Sequence, residues 1–316
     1  MGISIFTLGV LATSGFLLGQ SSTTPTSIGQ RALVTLKIPG YADFLVADGD
    51  GVWTTNKGRI EKLEPYQQGP TATVAVPHPC GAMDLGFGAV WVANCQDSSL
   101  YRINRQTAHV AAIIPTGLAD RRGELSVAVG AGSVWLLTDP VGVLSRIDPA
   151  TNRVIARIQV APNSYAAEFG FGSVWITNTG PANNRGHGSV QRIDPATNRV
   201  VSTIPVGPTP RFLAAGEGGV WTLNQGDGSV SRIDPASNRM VATIPVGVEG
   251  PGGDIATGAG LVWVRAKKVL LSTIDPMTNR VSERFGPPAG SGAVRVAGNF
   301  VWVTAHDIGT VWVLRR

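Results

Sequence analysis

Short apolar runs alternate along the chain with clusters of Gly, Pro, Asn and Asp, and none of the runs beyond the first twenty residues keeps a helical period. Strict alternation is the signature of a strand buried on one face. In VWVAN around Trp91, however, Val90 and Val92 point to one side while Trp91 and Ala93 point to the other, so both faces are apolar. Such a strand needs cover on both sides, which sheets packed against neighbouring sheets provide. In the stretch from Arg211 to Val246, RFLAAGEG, GVWTLN, GSVSRID and RMVATIPV read as four successive strands, each rich in β-branched or aromatic residues and each ended by Gly, Asn, Asp or Pro.

This four-strand pattern recurs. Trp53, Trp91, Trp135, Trp175, Trp221, Trp263 and Trp302 mark its copies, with spacings of 38, 44, 40, 46, 42 and 39. A period near forty with Gly and aromatic markers predicts the blades of a β-propeller, since one blade cannot bury both its faces alone. The segment SVQRIDPATNRVVSTIPVG (Ser189 to Gly207) returns almost unchanged as SVSRIDPASNRMVATIPVG (Ser229 to Gly247), and reads as strand C, turn and strand D. In its turn, Asp194 suits the first position and Pro195 presets φ at the second. Asn198 tolerates the left-handed conformation that reverses the chain. A calcium loop would need more carboxylates.

After Trp302 the chain supplies one further strand, GTVWVLRR, and ends. The missing outer strand is at the other terminus, where RALVTLKIPG (Arg31 to Gly40) matches the strand D pattern. The prediction is an all-β, seven-bladed propeller of four-stranded blades whose last blade is closed by the N-terminal strand. Residues 31–316 form it, 1–20 read as a signal peptide and 21–30 as a linker. The first segment has an apolar run from Ile3 to Leu18 without a charged side chain, short for a membrane span, and implies export to the periplasm or outside the cell.

Composition supports a packed, turn-rich protein: 43% hydrophobic, 15% charged, 40 Gly and 21 Pro. Net charge is +5, which raises nucleic acid as a partner. The basic residues repeat with the blades instead of clustering: Arg102, Arg146, Arg192 and Arg232 share one repeat position, and Arg153, Arg199, Arg239 and Arg280 another. They read as solvated turn arginines, and a nucleic-acid partner is not expected. The chain is read as a monomer without a membrane span once the signal is removed.

The motifs GSVWITN, RIDPATNRVVSTIPVG and GDGSVSRIDP resemble bacterial propellers with YVTN-type repeats and the broader streptogramin-lyase-like superfamily, over Arg31 to Arg316. The resemblance implies the seven-bladed fold. It leaves function divided between binding or scaffold proteins of the cell envelope and enzymes, either metal-dependent lyases of the virginiamycin B lyase kind or lactone hydrolases of the gluconolactonase kind. The Glu-x-His element of the lyases does not occur here, and the metal quartet of the gluconolactonase-like propellers has no clear match.

In this topology the D-to-A and B-to-C links share one face around the central channel. Residues that break the repeat there are the candidate ligand site: Asp43, Glu168, Asn178, His187, Arg211, Asn224, Asp254 and His306. Asn178 and Asn224 belong to a set, with Asn56 and Asn94, that lies three residues after a blade tryptophan; such residues cap strand ends or present an amide ring to the channel. Arg211 and Asp254 open strand A of adjacent blades and are placed to pair with each other. No cofactor is implied, with Mg2+ or Ca2+ as the alternative. Cys80 and Cys95, the only cysteines, flank strands A and B of blade two at one rim and are expected to form a disulfide; free thiols and a zinc site with His78 are the alternatives. The expected function is an exported, non-catalytic propeller that binds a small polar ligand, a peptide or an envelope partner on this face. The enzyme alternative rests on His306 or His187 with a carboxylate-held divalent metal.

Overall fold

The computed structural model describes residues 24–117, 124–138, 141–181, 186 and 188–316. They form seven antiparallel four-stranded sheets in a ring. Blade four is representative: strand A (Ser164–Gly170), strand B (Ser173–Asn178), strand C (Gly188–Asp194) and strand D (Arg199–Val206) pair in sequence order. Strand A lines the channel and strand D forms the outer rim.

Each blade tryptophan is buried, five of the seven donating the indole N–H to a strand A glycine carbonyl five residues earlier, as from Trp175 to Gly170 at 2.9 Å. That glycine also lets the next blade approach. A Cβ at Gly130 would lie 2.0 Å from the Phe169 ring, and one at Gly170 would lie 2.4 Å from Ala215. The packing is close enough that a methyl group at these places would force blades apart.

The doubled nineteen residues have a physical explanation in the contacts between blades. Arg192 of strand C lies over the Trp175 ring of its own blade, 4.9 Å from the centroid, and donates from Nη1 to Pro235 O and Asn238 Oδ1 of the next blade, both at 2.8 Å. Arg102, Arg146 and Arg232 repeat this clasp onto the turns at Asn152, Asn198 and Asn279. The arginines read as solvated are therefore inter-blade ties, combining cation–π stacking with charge-assisted hydrogen bonds. Each acceptor Asn has φ of 55° or 56°, and its N–H bonds the carbonyl of the turn's first Asp. One turn thus reverses its own chain and receives the neighbour. Arg153, Arg199, Arg239 and Arg280 are exposed, as expected for turn arginines.

The clasp is absent where the ring closes: the position opposite the tryptophan holds Thr273 in blade six, Val313 in blade seven and Lys62 in blade one. Closure is instead by the N-terminal strand. Ala32–Lys37 pairs antiparallel with Thr310–Arg315 as strand D of blade seven, and Leu36 is buried. The stretch read as a linker carries structure from Thr26 on: Thr26 and Ser27 pair in parallel with Phe285 and Gly286 on the outer edge of blade six, and Ile28 enters the core. One segment therefore closes blade seven and ties it to blade six. The segment read as a signal peptide, residues 1–20, lies outside the described residues. No helix among them is long and apolar enough to cross a membrane.

Candidate functional site

The D-to-A and B-to-C links open around a channel with two chambers. The upper, of ≈ 190 Å³, is the mouth of the funnel and takes Asp43, Glu124, Arg211, Lys267, His306 and Asp307. The lower, of ≈ 240 Å³, lies deeper and takes Asp84, Glu168 and Arg295 among mostly apolar walls. Phe44, Phe212 and Asp254 border both, and the two rings, 6.5 Å apart between centroids, stand at the boundary between them.

In the upper chamber, Tyr41 packs its ring on His306 at a centroid distance of 4.0 Å. His306 Nε2 lies 3.7 Å from Asp43 Oδ1, beyond a hydrogen bond, and Nδ1 lies 3.0 Å from Asp307 Oδ1. That second contact is within ion-pair range but misaligned, so buried Nδ1 has no well-formed hydrogen bond. Burial pulls the imidazole below its ordinary pKa, with the Asp307 charge working against it. Asp43 goes the opposite way: burial, then the nearby carboxyls of Glu124 and Asp254, push it up to about 8. Burial thus favours the uncharged form of both members of the pair. Across the chamber, the Arg211 guanidinium stacks 4.4 Å over the Tyr165 ring, and the Tyr165 hydroxyl donates to Glu124. Burial raises Glu124, while Tyr165 and Arg211 hold it down.

In the lower chamber, Asp254 is 3% exposed and fully engaged. Its Oδ2 accepts from Arg295 Nη1 at 2.6 Å and from Val294 N, and its Oδ1 accepts from Ile255 N. The partner of Asp254 is thus Arg295 and not Arg211, because Arg211 turns away to stack on Tyr165. Asp84 accepts from Leu85 N at 2.7 Å and Val129 N at 2.6 Å, yet burial still pushes it up to about 6. Glu168 has no hydrogen-bond or ion-pair partner among the described residues, and burial together with the Asp84 charge pushes it up to about 8.

Of the residues anticipated for the site, the structure gathers Asp43, Arg211 and His306 in the upper chamber, Glu168 in the lower and Asp254 between them. His187 lies outside the described residues. Asn178 and Asn224 are buried inside their blades: Asn178 donates to Pro162 O and accepts from Gly180 N, while Asn224 Nδ2 donates to Ser229 and Ser231 hydroxyls, each at 2.9 Å. Asn56 and Asn94 likewise accept from Tyr41 N and His78 N. These amides fasten strand B to the adjacent links and do not line either chamber. Sequence reasoning missed Asp84, Lys267 and Arg295. For two of them a signal was present: the strand A position opposite each blade tryptophan holds Val46, Asp84, Ala128, Glu168, Ala214, Ala256 and Arg295, so three charges interrupt a small, apolar series.

At the rim of blade two, Cys80 and Cys95 form a disulfide. With His78 they are the one group of three potential metal ligands that converges among the described residues, but the oxidised sulfurs are not thiolate donors, so zinc has no site there.

No family model matches this chain, and no curated protein does. Solved structures share the fold. Hydrazine synthase from Kuenenia stuttgartiensis aligns with a TM-score of 0.73 at 14% identity, covering 96% of this chain and 99% of that one. The Pan2 WD40 domain of Neurospora crassa gives 0.65 at 13% identity over 87% and 88%, and BamB from Moraxella catarrhalis gives 0.61 at 13% over 86% and 82%. The chain is a seven-bladed β-propeller, and at such identities these likenesses speak to architecture alone.

Proposed function

We propose that this is an exported, non-catalytic propeller of the YVTN-repeat kind that binds a small polar ligand in its channel mouth, in the periplasm or outside the cell. The observation that carries the reading is the contrast between a face whose DPxxNR turn is copied in blades three to six and a funnel where Asp43, Arg211, Lys267 and His306, each from a different link or strand start, converge on one cavity. Recognition of one ligand requires unlike groups at fixed places, which copied blades do not offer. The disulfide agrees with an oxidising compartment. The test is calorimetric screening of small polar compounds against the wild-type chain, with Arg211→Ala and His306→Ala in the funnel and Arg199→Ala on the opposite face as controls. Binding should vanish in the funnel variants and persist in Arg199→Ala. Loss only in Arg199→Ala places the working surface on the wrong face.

A further inference from the structure

The protein carries +5 overall, yet its two chambers are lined by six carboxyls (Asp43, Asp84, Glu124, Glu168, Asp254 and Asp307) and three permanent cations, Arg211, Lys267 and Arg295, with the buried Arg265 a fourth cation acting on Asp43, Asp254 and Asp307. In the lower chamber the imbalance is sharpest, with three carboxyls and one guanidinium. Arg295 is committed to Asp254, and two backbone N–H groups satisfy Asp84. That leaves Glu168, enclosed by protein, with its residual exposure toward the cavity.

The propeller itself has no need of this carboxyl, since four other blades put Val or Ala at the same strand position. Leaving a carboxyl buried and unpaired is costly. A chamber of ≈ 240 Å³ has the volume of roughly eight waters, so it admits a small molecule. Its remaining walls are apolar, including Met83, Leu85, Val127 and Leu213, and the Phe44 and Phe212 rings border it on the side of the upper chamber, offering aromatic faces that attract cations. No three carboxyls of the described residues converge here within 4.8 Å as the all-protein cage of a divalent ion would, since the one group of three potential ligands among the described residues is at the disulfide.

We infer that the lower chamber binds a small organic cation, a protonated primary amine with a short apolar body, whose ammonium pairs with the Glu168 carboxylate. The inference rests on the reading of the channel as a ligand site and names the chemistry of its occupant. Asp84, Asp254 and Arg295 are the charged groups that act on Glu168, and Arg295 is itself paired with Asp254. Because burial holds a proton on Glu168 near neutral pH, pairing must displace that proton, and uptake of the amine releases it to solvent.

The test is titration calorimetry of the full chain at pH 7 with n-butylammonium, butyrate and Ca2+, each in two buffers of different ionisation enthalpy. Butylammonium should saturate one site with an enthalpy that changes with the buffer, reporting proton release, while butyrate should not bind. Glu168→Gln, nearly isosteric and relieved of a buried acid, should fold with an undiminished melting temperature and lose affinity about tenfold or more. Equal affinity in Glu168→Gln overturns the inference, as do absence of butylammonium binding, preference for butyrate, and occupation by Ca2+ in place of the amine. Butylammonium binding lost in Arg211→Ala but retained in Glu168→Gln also overturns it, while leaving the funnel reading intact. The funnel reading fails separately, on its own screen.

Discussion

Arg192 at one end of blade four and Glu168 on the inner strand of the same blade illustrate two uses of a charged residue. Arg192 repeats in three other blades, stacks on its tryptophan and donates to a carbonyl and an amide of the neighbour. Glu168 has no counterpart in the other blades except the acid Asp84 and the opposite charge of Arg295, and it has no partner. The first charge is stabilised by its contacts in every copy. The second is tolerated at a cost, which is how binding groups differ from structural ones.

Breaking the ring at its seam should have the largest effect. A chain beginning at Tyr41 lacks strand D of blade seven and the Ile28 anchor, exposing the edge of Thr310–Arg315 and the core under it. It should lose the cooperative thermal transition seen for a chain beginning at Thr24. If both chains melt alike, the N-terminal strand does not close the ring.

The pH profile should come next. Glu168 and Asp43 each keep a proton up to about pH 8 in the folded chain, whereas the unfolded chain releases it near the ordinary carboxyl pKa. Stability is therefore greatest below about pH 4.5 as far as these groups are concerned, and it declines as pH rises until the folded carboxyls ionise near 8. For Glu168 the loss is at most on the order of 5 kcal/mol. Melting temperature should thus fall between pH 5 and roughly 8.5, and Glu168→Gln should flatten that fall; a steeper profile in the variant would contradict the assignment.

Removing the disulfide with Cys80→Ala and Cys95→Ala should cost about 3 kcal/mol, since the bridge closes a loop across 15 residues. The loss should appear equally in wild-type protein under reductant. Two free thiols in unreduced, unfolded protein would remove the bridge altogether.

The blade count, the strands and the seam were legible because a repeat states the same physical demand seven times, and a missing fourth strand is visible as a count that does not close. The clasping arginines were misread for a related reason. Their acceptors lie 43 to 52 residues away in the next blade, beyond any local motif, so only exposure could be guessed. At the channel, Asp43, Glu168, Arg211, Asp254 and His306 stood out as departures from the pattern, whereas the pairing of Asp254 with Arg295 depends on how the ring brings strand A of blade six beside strand A of blade seven. The boundary asparagines were ambiguous because capping a strand and facing a channel call for the same amide at the same place.

The smallest stability effect, and the sharpest form of the comparison, comes from exchanging one arginine at each end. Arg192→Ala removes a cation–π contact and two charge-assisted hydrogen bonds, leaving Pro235 O and the Asn238 side chain without their donor, so it should cost about 2 kcal/mol. Arg192→Lys should recover little of that, because an ammonium reproduces neither the stacking nor the fork. Arg211→Ala should cost well under about 1 kcal/mol, for its guanidinium rests on one ring face at the edge of an open funnel. In ligand binding the order should reverse: Arg192→Ala binds as wild type does when folded, and Arg211→Ala does not. Chemical denaturation and calorimetry on the same two proteins measure both orders. If the two variants rank the same way in stability and in binding, the division of this propeller into a clasped face and a binding face is wrong.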